Sequence, residues 1–380
     1  MTRPAAAKSN PRNLDTTEKA GVGRIITYAG AILAFLIGSG FATGQEIMQY
    51  YTSRGFWGIF GTGVVVLVLI TYVCVEFMTT GRREKFDKPS DIFGYYCGKY
   101  IGKFFDYFSI LFVFLSFTVM VSGAGAVFEE HYGLSKYLGG VAFAAVVGLT
   151  AWFGLNRLVD VIGKVGPVIA IIAVALGLIS IFRNGGLTDG HNLAFSLDMT
   201  TASSNWFMAG LSYVGFCMLW LAAFLAALGA TSRSKKEVII GSTSGGVFFS
   251  LACIVVGLGL LATVESVFDS QIPMLVIAKQ LSPVIAACIS AMILAGIYTT
   301  GVPLLWTVSQ RFWRDGSRGF KYGTVGLAAL GTVVGLILPF DQMVNLVYVI
   351  NGYVGIVLLA FMLVKTVTRS VSSRRAPVSA

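Results

Sequence analysis

Hydrophobic residues in this 380-residue chain are gathered into long blocks separated by short polar segments. The blocks at 57–75, 108–127 and 166–182 each run for about 17 to 20 residues without a charge. A helix needs about 20 residues to cross a hydrocarbon core about 30 Å thick, so each block predicts a membrane-spanning helix. The whole pattern predicts ten spans, at 24–51, 56–79, 104–128, 136–154, 158–182, 205–229, 238–264, 284–310, 322–340 and 343–365.

Composition agrees with an all-α integral membrane protein. Of the residues, 56% are hydrophobic and 12% charged, with a mean hydropathy of +0.78. Soluble domains carry about 25% charged residues, so this chain lacks the polar surface that water contact requires. We therefore expect a single transmembrane domain at 24–365, between a disordered cytoplasmic tail at 1–23 and a second cytoplasmic tail at 366–380.

The basic residues predict the orientation. If the amino end is cytoplasmic, 24 of the 28 Lys and Arg residues fall on inner segments. Such a bias predicts a multi-pass protein of a bacterial-type inner membrane with both termini in the cytoplasm. The net charge of +10 is dispersed rather than gathered on one face, so no nucleic-acid partner is expected. The expected partners are the lipid bilayer and a small solute, and the sequence indicates no oligomeric state.

Two connections carry apolar residues. Residues 89–102 place aromatic and aliphatic side chains at helical spacing beside lysines, which predicts an amphipathic helix on the inner membrane surface. Residues 271–282 form an apolar segment on the outer side that is too short to span, and we expect it to act as a lid.

The first span contains a cluster of helix-breaking residues. Gly38, Ser39, Gly40 and Gly44 lie near its middle, and each glycine disfavours helix by up to about 1 kcal/mol. Unwound backbone at membrane depth is tolerated where it lines a cavity or is buried in protein, and there it can bind a ligand. A small-residue packing face is the alternative. The polar residues that follow, Ser39, Thr43, Gln45 and Glu46, favour a binding site.

The sixth span has a weaker version of this cluster. Gly210, Ser212, Tyr213 and Gly215 lie near its middle without a charge. Spans one and six are corresponding members of two five-helix halves, which have opposite topology because five is odd. Two glycine-interrupted segments at matching positions predict a 5+5 inverted repeat with helices 1 and 6 interrupted and a site at the midplane.

The eighth span offers oxygen ligands on one helix face. These are the carbonyl of Gly296 and the hydroxyls of Thr299 and Thr300. A ligand set made only of oxygen suits a hard cation such as sodium, and no organic cofactor is expected. The alternative is that both hydroxyls bond carbonyls of their own helix.

At these residues a family resemblance becomes specific. The string LIGSG at 36–40 resembles the broken first helix of the amino acid–polyamine–organocation superfamily, which has the LeuT-type fold. The longer string GSGFATGQEI at 38–47, together with TTG at 299–301, is similar to the YkvI-like membrane proteins of that superfamily. The resemblance extends over about 24–365 in helix count, order and break positions.

The resemblance implies two groups of site residues. A substrate's anionic or polar group would meet the backbone of the first-helix break, and the sixth helix would close the site, through Gly38, Ser39, Gly40, Tyr213, Gly215 and Phe216. A sodium ion would lie between the Leu36 and Ser39 carbonyls and the eighth helix, at Gly296, Thr299 and Thr300. The chain departs from the amino-acid transporters in having Gln45 and Glu46 directly after the break, which favours a cationic substrate or proton coupling.

Glu46 is the most informative ionisable residue in the sequence. It follows Gly40 by six residues, which on a resumed helix places it about 9 Å outward of the break. Acidic residues at such depth are rare and mark functional sites by default, so Glu46 joins the predicted substrate-binding residues. It would either pair with a positive group of the substrate or change protonation during the cycle. The alternative is a carboxylate solvated in an outer vestibule or stabilised by the positive end of a helix.

Two functions remain open at this point. The first is a secondary active transporter, performing Na⁺- or H⁺-coupled symport of a small polar solute such as an amino acid or organic amine by alternating access. The second is a non-transporting membrane scaffold or sensor that has kept a transporter-like fold. An enzyme is not expected, because neither HExxH nor GxSxG occurs and no acid–base pair is placed for catalysis.

Overall fold

The computed structural model of the protein describes residues 21–153 and 159–375, and the regular structure in these ranges is entirely helical. The helices are α1 (Val22–Leu36), α2 (Ser39–Thr43), α3 (Gln45–Tyr50), α4 (Gly55–Glu84), α5 (Asp91–Tyr132), α6 (Lys136–Phe153), α7 (Val159–Asn184), α8 (Leu187–Ser196), α9 (Trp206–Ala230), α10 (Lys235–Leu261), α11 (Val264–Val267), α12 (Pro273–Leu281), α13 (Pro283–Phe312), α14 (Arg318–Gly335) and α15 (Phe340–Arg375). Most of the predicted amino-terminal tail, residues 1–20, and the end of the carboxy-terminal tail, 376–380, lie outside the described residues.

The helices account for the ten predicted crossings. In the described part of the chain, eight helices are long and apolar enough to cross a membrane. The ninth crossing is the apolar helix α1 with its continuation α2, and the tenth is the 18-residue helix α14, which packs on α5 and α6. The crossings form two sets of five with α8 between them. The last helix continues to Arg375, ten residues beyond its predicted end.

The predicted inner amphipathic helix is divided by a kink. Helical residues from Asp91 lead to Gly98, whose φ of 76° interrupts the helix before the long span begins. Ile92, Phe93 and Tyr96 are buried, as expected for an apolar face. Tyr100 lies beyond the kink and is 83% exposed, so it does not share that face.

The predicted outer lid is the nine-residue helix α12. Most of its apolar residues are buried, and Met274 packs directly against Gly44 of the broken first span. The carboxylate of Glu130, near the end of α5, holds the segment that leads into α12. It accepts hydrogen bonds from the Ser270 hydroxyl at 2.7 Å and from the backbone N–H of Gln271 at 2.6 Å.

The prediction that the sixth span is interrupted is wrong, because α9 runs unbroken from Trp206 to Ala230. Its glycines serve close helix packing instead. A Cβ added to Gly210 would lie 2.8 Å from the Val65 side chain of α4, and one added to Gly215 would collide with the backbone of Gly352 in α15. Glycine in a membrane helix can either weaken the helix or let a neighbouring helix approach closely. At Gly210 and Gly215 a neighbouring helix fills the space that a side chain would otherwise occupy.

Close packing of α4 on α9 yields a stability prediction. A Cβ at Gly229 would overlap the backbone of Met78, which cannot move without shifting a helix. We expect Gly229→Ala to cost about 1–3 kcal/mol by overpacking and to lower the melting temperature in detergent. Gly326→Ala is the matched control, because nothing lies within 4 Å of a Cβ there. Alanine at that position should be neutral or slightly stabilising. Equal melting temperatures for both variants would contradict the packing assignment.

Candidate functional site

The first span is broken twice, as the glycine cluster predicted. Helix α1 ends at Leu36, and Ile37 and Gly38 are extended, with ψ angles of 91° and −166°. One short turn of helix, α2, follows and ends at Gly44, whose φ of 84° lies in the left-handed region that favours glycine. Helix α3 then starts in a new direction. The predicted interruption is confirmed at Ile37–Gly38 and at Gly44, whereas residues 39–43 between the two breaks are helical and not unwound.

The second break brings Glu46 back onto the first. A Cβ added to Gly40 would lie 2.5 Å from Oε2 of Glu46 and 2.9 Å from its Cβ. The expectation that Glu46 stands about 9 Å outward of the break is wrong, because the left-handed turn at Gly44 folds α3 back towards α2 instead of continuing the same axis. The Glu46 side chain is 2% exposed, so it is also not solvated in a vestibule.

The sixth span provides the hydrogen bond to this carboxylate. The hydroxyl of Tyr213 donates to Oε1 of Glu46 at 2.5 Å. Three glutamates are buried in the described part of the chain, and two of them have a basic partner: Glu76 pairs with Arg369 and Glu237 with Arg24. No ion pair joins Glu46 to a Lys, Arg or His among the described residues. A buried carboxylate usually needs a paired charge, and Glu46 has only the partial positive charge of a helix end, because it lies in the first turn of α3.

Aromatic rings from three helices surround the carboxylate and its tyrosine. The rings of Tyr50 and Tyr51 approach Tyr213 edge to face, with centroids 5.1 and 5.4 Å away. Phe216 lies 5.0 Å from Tyr213 and stacks on Tyr348 of α15 at 4.8 Å. All of these side chains are buried. Aromatic faces attract cations, so the cluster is chemically suited to hold a positive group next to Glu46.

Buried hydroxyls in the same cluster have unused hydrogen-bonding capacity. Ser39 and Tyr348 face each other, as do Tyr50 and Ser212, and none of the four hydroxyl oxygens makes a hydrogen bond of normal geometry. Buried polar atoms without partners are rare, because each costs about 1–3 kcal/mol. Within each pair the two hydroxyls are the nearest polar partners of one another, and the Ser212 oxygen lies against Gly352 of α15.

Most residues of the predicted substrate group meet here. Gly38, Ser39, Gly40, Glu46, Tyr213 and Phe216 line one cluster, whereas Gly215 packs on Gly352. Sequence reasoning missed Tyr50 and Tyr348. Tyr348 lies in an apolar span with no charge beside it, whereas Tyr50 follows Glu46 by four residues, a spacing that places the two on one face of a helix and could have found it.

The residues of the predicted sodium site bond within their own chain segments in this structure. The hydroxyls of Thr299 and Thr300 both donate to the carbonyl of Gly296 at 3.0 Å, which is the own-helix alternative. The Leu36 carbonyl accepts from the backbone N–H of Gly38 at 3.2 Å. Helix α2 does pack on α13, so the two halves of the ligand set belong to neighbouring elements. Sodium binding at Leu36, Ser39, Gly296, Thr299 and Thr300 stays a prediction.

The bond between Tyr213 and Glu46 predicts a specific loss of stability. Tyr213→Phe leaves a buried carboxylate without its donor, so we expect it to lower the free energy of unfolding by about 1–3 kcal/mol. Tyr51→Phe is the matched control, since its hydroxyl is equally buried and makes no hydrogen bond of normal geometry. Thermal unfolding in detergent measures both. The Tyr213 assignment fails if the two variants melt at the same temperature.

Comparison with known proteins places this site in a transporter fold. No model of a known protein family matches the chain. The chain is 24% identical over 349 residues to YkvI, an uncharacterized membrane protein of Bacillus subtilis (strain 168), covering 90% of this chain and 95% of YkvI. The predicted resemblance to the YkvI-like membrane proteins is thereby confirmed as a similarity over most of the length.

Two solved structures share the architecture. MhsT in complex with L-phenylalanine superposes with a TM-score of 0.60 at 16% identity, over 89% of this chain and 88% of that one. The inward-facing conformation of Mhp1, a nucleobase-cation-symport-1 family transporter, superposes with a TM-score of 0.58 at 16% identity, over 95% and 80% of the two chains. The protein therefore has the LeuT-type fold of secondary transporters, with Glu46 at the break of its first span.

Proposed function

We propose that the protein is a secondary active transporter that moves a small polar solute across the membrane by Na⁺- or H⁺-coupled symport. The observation that carries the proposal is the enclosed, unpaired carboxylate of Glu46 at the broken first span. Interrupted helices in this fold expose backbone and polar groups at midplane depth for binding. An intramembrane carboxylate is costly, and a substrate or coupling ion accounts for its presence.

Closure on the outer side supports alternating access. Helix α12 covers the broken span through the contact of Met274 with Gly44, and Glu130 ties the start of that lid to α5. A few hydrogen bonds at the end of a helix can open while the packed core stays intact. Opening of α12 would give the Glu46 cluster a path to the outer side.

Ion pairs and a hydrogen bond hold helix ends together on the predicted inner side. The Arg24 guanidinium lies 3.7 Å from Glu237 at the start of α10, and the Gly21 backbone N–H donates to the same carboxylate at 3.0 Å. Arg369 lies 3.2 Å from Glu76. With both termini in the cytoplasm, as the distribution of basic residues favours, these bonds would form the cytoplasmic gate.

The packing supplies a moving unit for such a cycle. Each of the helices α1, α4, α9 and α10 has its most extensive contact with another of the four, and α9 also packs extensively on α15. They correspond to spans one, two, six and seven, which in the proposed cycle rock as a group against the remaining spans around a fixed site. The non-transporting scaffold or sensor is the second candidate, and no observation favours it. We propose no enzymatic activity.

Uptake into proteoliposomes tests the function. A panel of radiolabelled amino acids and organic amines is offered with an inward Na⁺ gradient, an inward H⁺ gradient, or neither. At least one solute should accumulate under one of the gradients. Glu46→Gln keeps the shape and removes the charge, so uptake should fall by roughly tenfold to a hundredfold, the value of a charge-assisted hydrogen bond of about 1.5–3 kcal/mol.

Glu265→Gln is the control, because Glu265 is exposed in α11 and is not one of the residues of the cluster. It should transport like the unmodified protein. Wild-type-like uptake by Glu46→Gln, with unchanged gradient dependence, would remove Glu46 from the mechanism. Binding of a solute without accumulation under any gradient would favour the sensor.

Replacement of the two threonines of α13 tests sodium coupling. If Thr299 and Thr300 ligate sodium, the double variant Thr299→Ala/Thr300→Ala should lose the stimulation of uptake by a Na⁺ gradient. Thr332→Ala is the matched control, since its hydroxyl also bonds its own helix, at the Ala328 carbonyl, in α14. Sodium stimulation that persists in the double variant would assign both hydroxyls to their own helix and would mean that sodium binds at other residues.

A further inference from the structure

The predicted inner end of α5 carries a stripe of exposed apolar side chains just beyond the Gly98 kink. Its members recur every three or four residues, and each is more than half exposed: Tyr100, Phe104, Tyr107 and Leu111. Because α5 crosses the membrane, this stripe faces lipid at the level where the span begins. Tyrosine is enriched at that level, where its ring meets hydrocarbon and its hydroxyl meets the headgroups.

Two lysines border the stripe and have no acidic partner. Lys99 and Lys103 are exposed and lie one helical turn apart, next to Tyr100 and Phe104. Neither lysine forms an ion pair with an Asp or Glu of the described chain. A lysine at a membrane boundary keeps its methylene groups in apolar surroundings and extends its ammonium to the headgroups. Both positive charges can therefore reach the phosphate of a lipid.

Helix α13 adds a third positive group. The Arg311 guanidinium bonds Asp106 of α5 at 2.5 Å and lies over the ring of Tyr107, 5.4 Å from its centroid. Asp106 follows Lys103 by three residues, so this ion pair lies on the same side of α5 as the lysines. A guanidinium has five N–H donors, and Asp106 uses one of them. Arg311 thus neutralises the carboxylate beside the lysines and keeps donors for an oxygen ligand.

The kink fixes the position of these groups. Gly98 has a φ of 76°, which favours glycine, and the helical arms before and after it touch each other. A Cβ added to Gly102 would lie 2.5 Å from the Cα of Gly94, so backbone packs on backbone across the kink. Lys99 directly follows Gly98 and is therefore held by a packed helical turn.

We propose that this face of α5, formed by the stripe together with Lys99, Lys103 and Arg311, binds an anionic phospholipid. The headgroup phosphate lies among the three positive groups, and an acyl chain lies along the stripe. A nucleic acid or a soluble protein could reach the lysines, but neither could cover side chains that face hydrocarbon. Anionic lipids supply both the negative charge and the apolar chain. Lipid binding here does not depend on which solute the protein carries.

Competition between two lipids tests the proposal on the full-length protein in detergent. Phosphatidylglycerol and phosphatidylcholine with the same acyl chains are added in equal amounts, and native mass spectrometry counts the bound molecules of each. Phosphatidylglycerol should bind about tenfold or more tightly. The double variant Lys99→Gln/Lys103→Gln should lose roughly tenfold to thirtyfold of that affinity, the effect of two basic residues near a membrane surface, and should bind phosphatidylcholine as before.

Lys235→Gln/Lys236→Gln is the matched control. These two lysines are also exposed on the predicted inner side, at the start of α10, and form no ion pair with a described residue. The control removes the same charge and should keep the affinity for phosphatidylglycerol. Equal losses in the two double variants would show attraction by net charge alone and would overturn the proposal, as would an unchanged affinity in Lys99→Gln/Lys103→Gln.

A soluble headgroup distinguishes a lipid site from a phosphate site. Glycerophosphoglycerol carries the phosphate of phosphatidylglycerol without its acyl chains. At the concentration at which phosphatidylglycerol saturates the protein, it should displace none of the bound lipid. Displacement at equal concentration would identify a site for a free phosphate compound and would overturn the assignment to a lipid.

Discussion

A polypeptide backbone inside the hydrocarbon region must have its N–H and C=O groups bonded within the protein, because no water is present to bond them. The first span breaks this continuity at Ile37–Gly38 and again at Gly44. Every residue of α2 and α3 is buried, so the broken segment is shielded from lipid on all sides. The unbroken helices α9, α13 and α15 and the lid α12 are the enclosure that makes the break tolerable. The site exists because the rest of the bundle surrounds this one segment.

The three buried glutamates of the described structure differ in whether a basic side chain balances their charge. Glu76 and Glu237 lie near helix ends and have arginine partners, so each can be explained by its pairing alone. Glu46 lies at the break, bonded by the neutral hydroxyl of Tyr213, and its charge is balanced by no basic side chain in the described structure. A fold under selection for stability alone would gain from an apolar residue here, since unpaired buried charge is destabilising. In the proposed transport cycle, a bound solute or coupling ion supplies the balancing charge.

Features that depend on local sequence could be predicted, and features that depend on distant contacts could not. The ten crossings follow from block length, and the first break follows from three glycines in seven residues. The prediction of a break at the two glycines of α9 was wrong. Val65 and Gly352 pack into the space that these glycines leave, and both residues are far from α9 in the sequence. The position of Glu46 depends on one dihedral angle at Gly44, which converts an expected outward step into a return to Gly40. Tyr348 joined the site through tertiary packing, whereas Tyr50 lies one helical turn after Glu46 on α3.

The glycines of α9 also bear on how a site beside this helix can open. Helix α9 belongs to the proposed moving group and α15 to the other group, and the two meet through Ser212 and Gly215 on one side and Gly352 and Gly355 on the other. Backbone lies against backbone at these glycines, whereas the Phe216 and Trp220 rings of α9 pack on Tyr348 of α15. Sliding at the glycines needs no change of rotamer, but sliding at the aromatic contact would require those rings to repack. The proposed movement of α9 against α15 therefore has to rearrange the same aromatic rings that surround Tyr213 and Glu46.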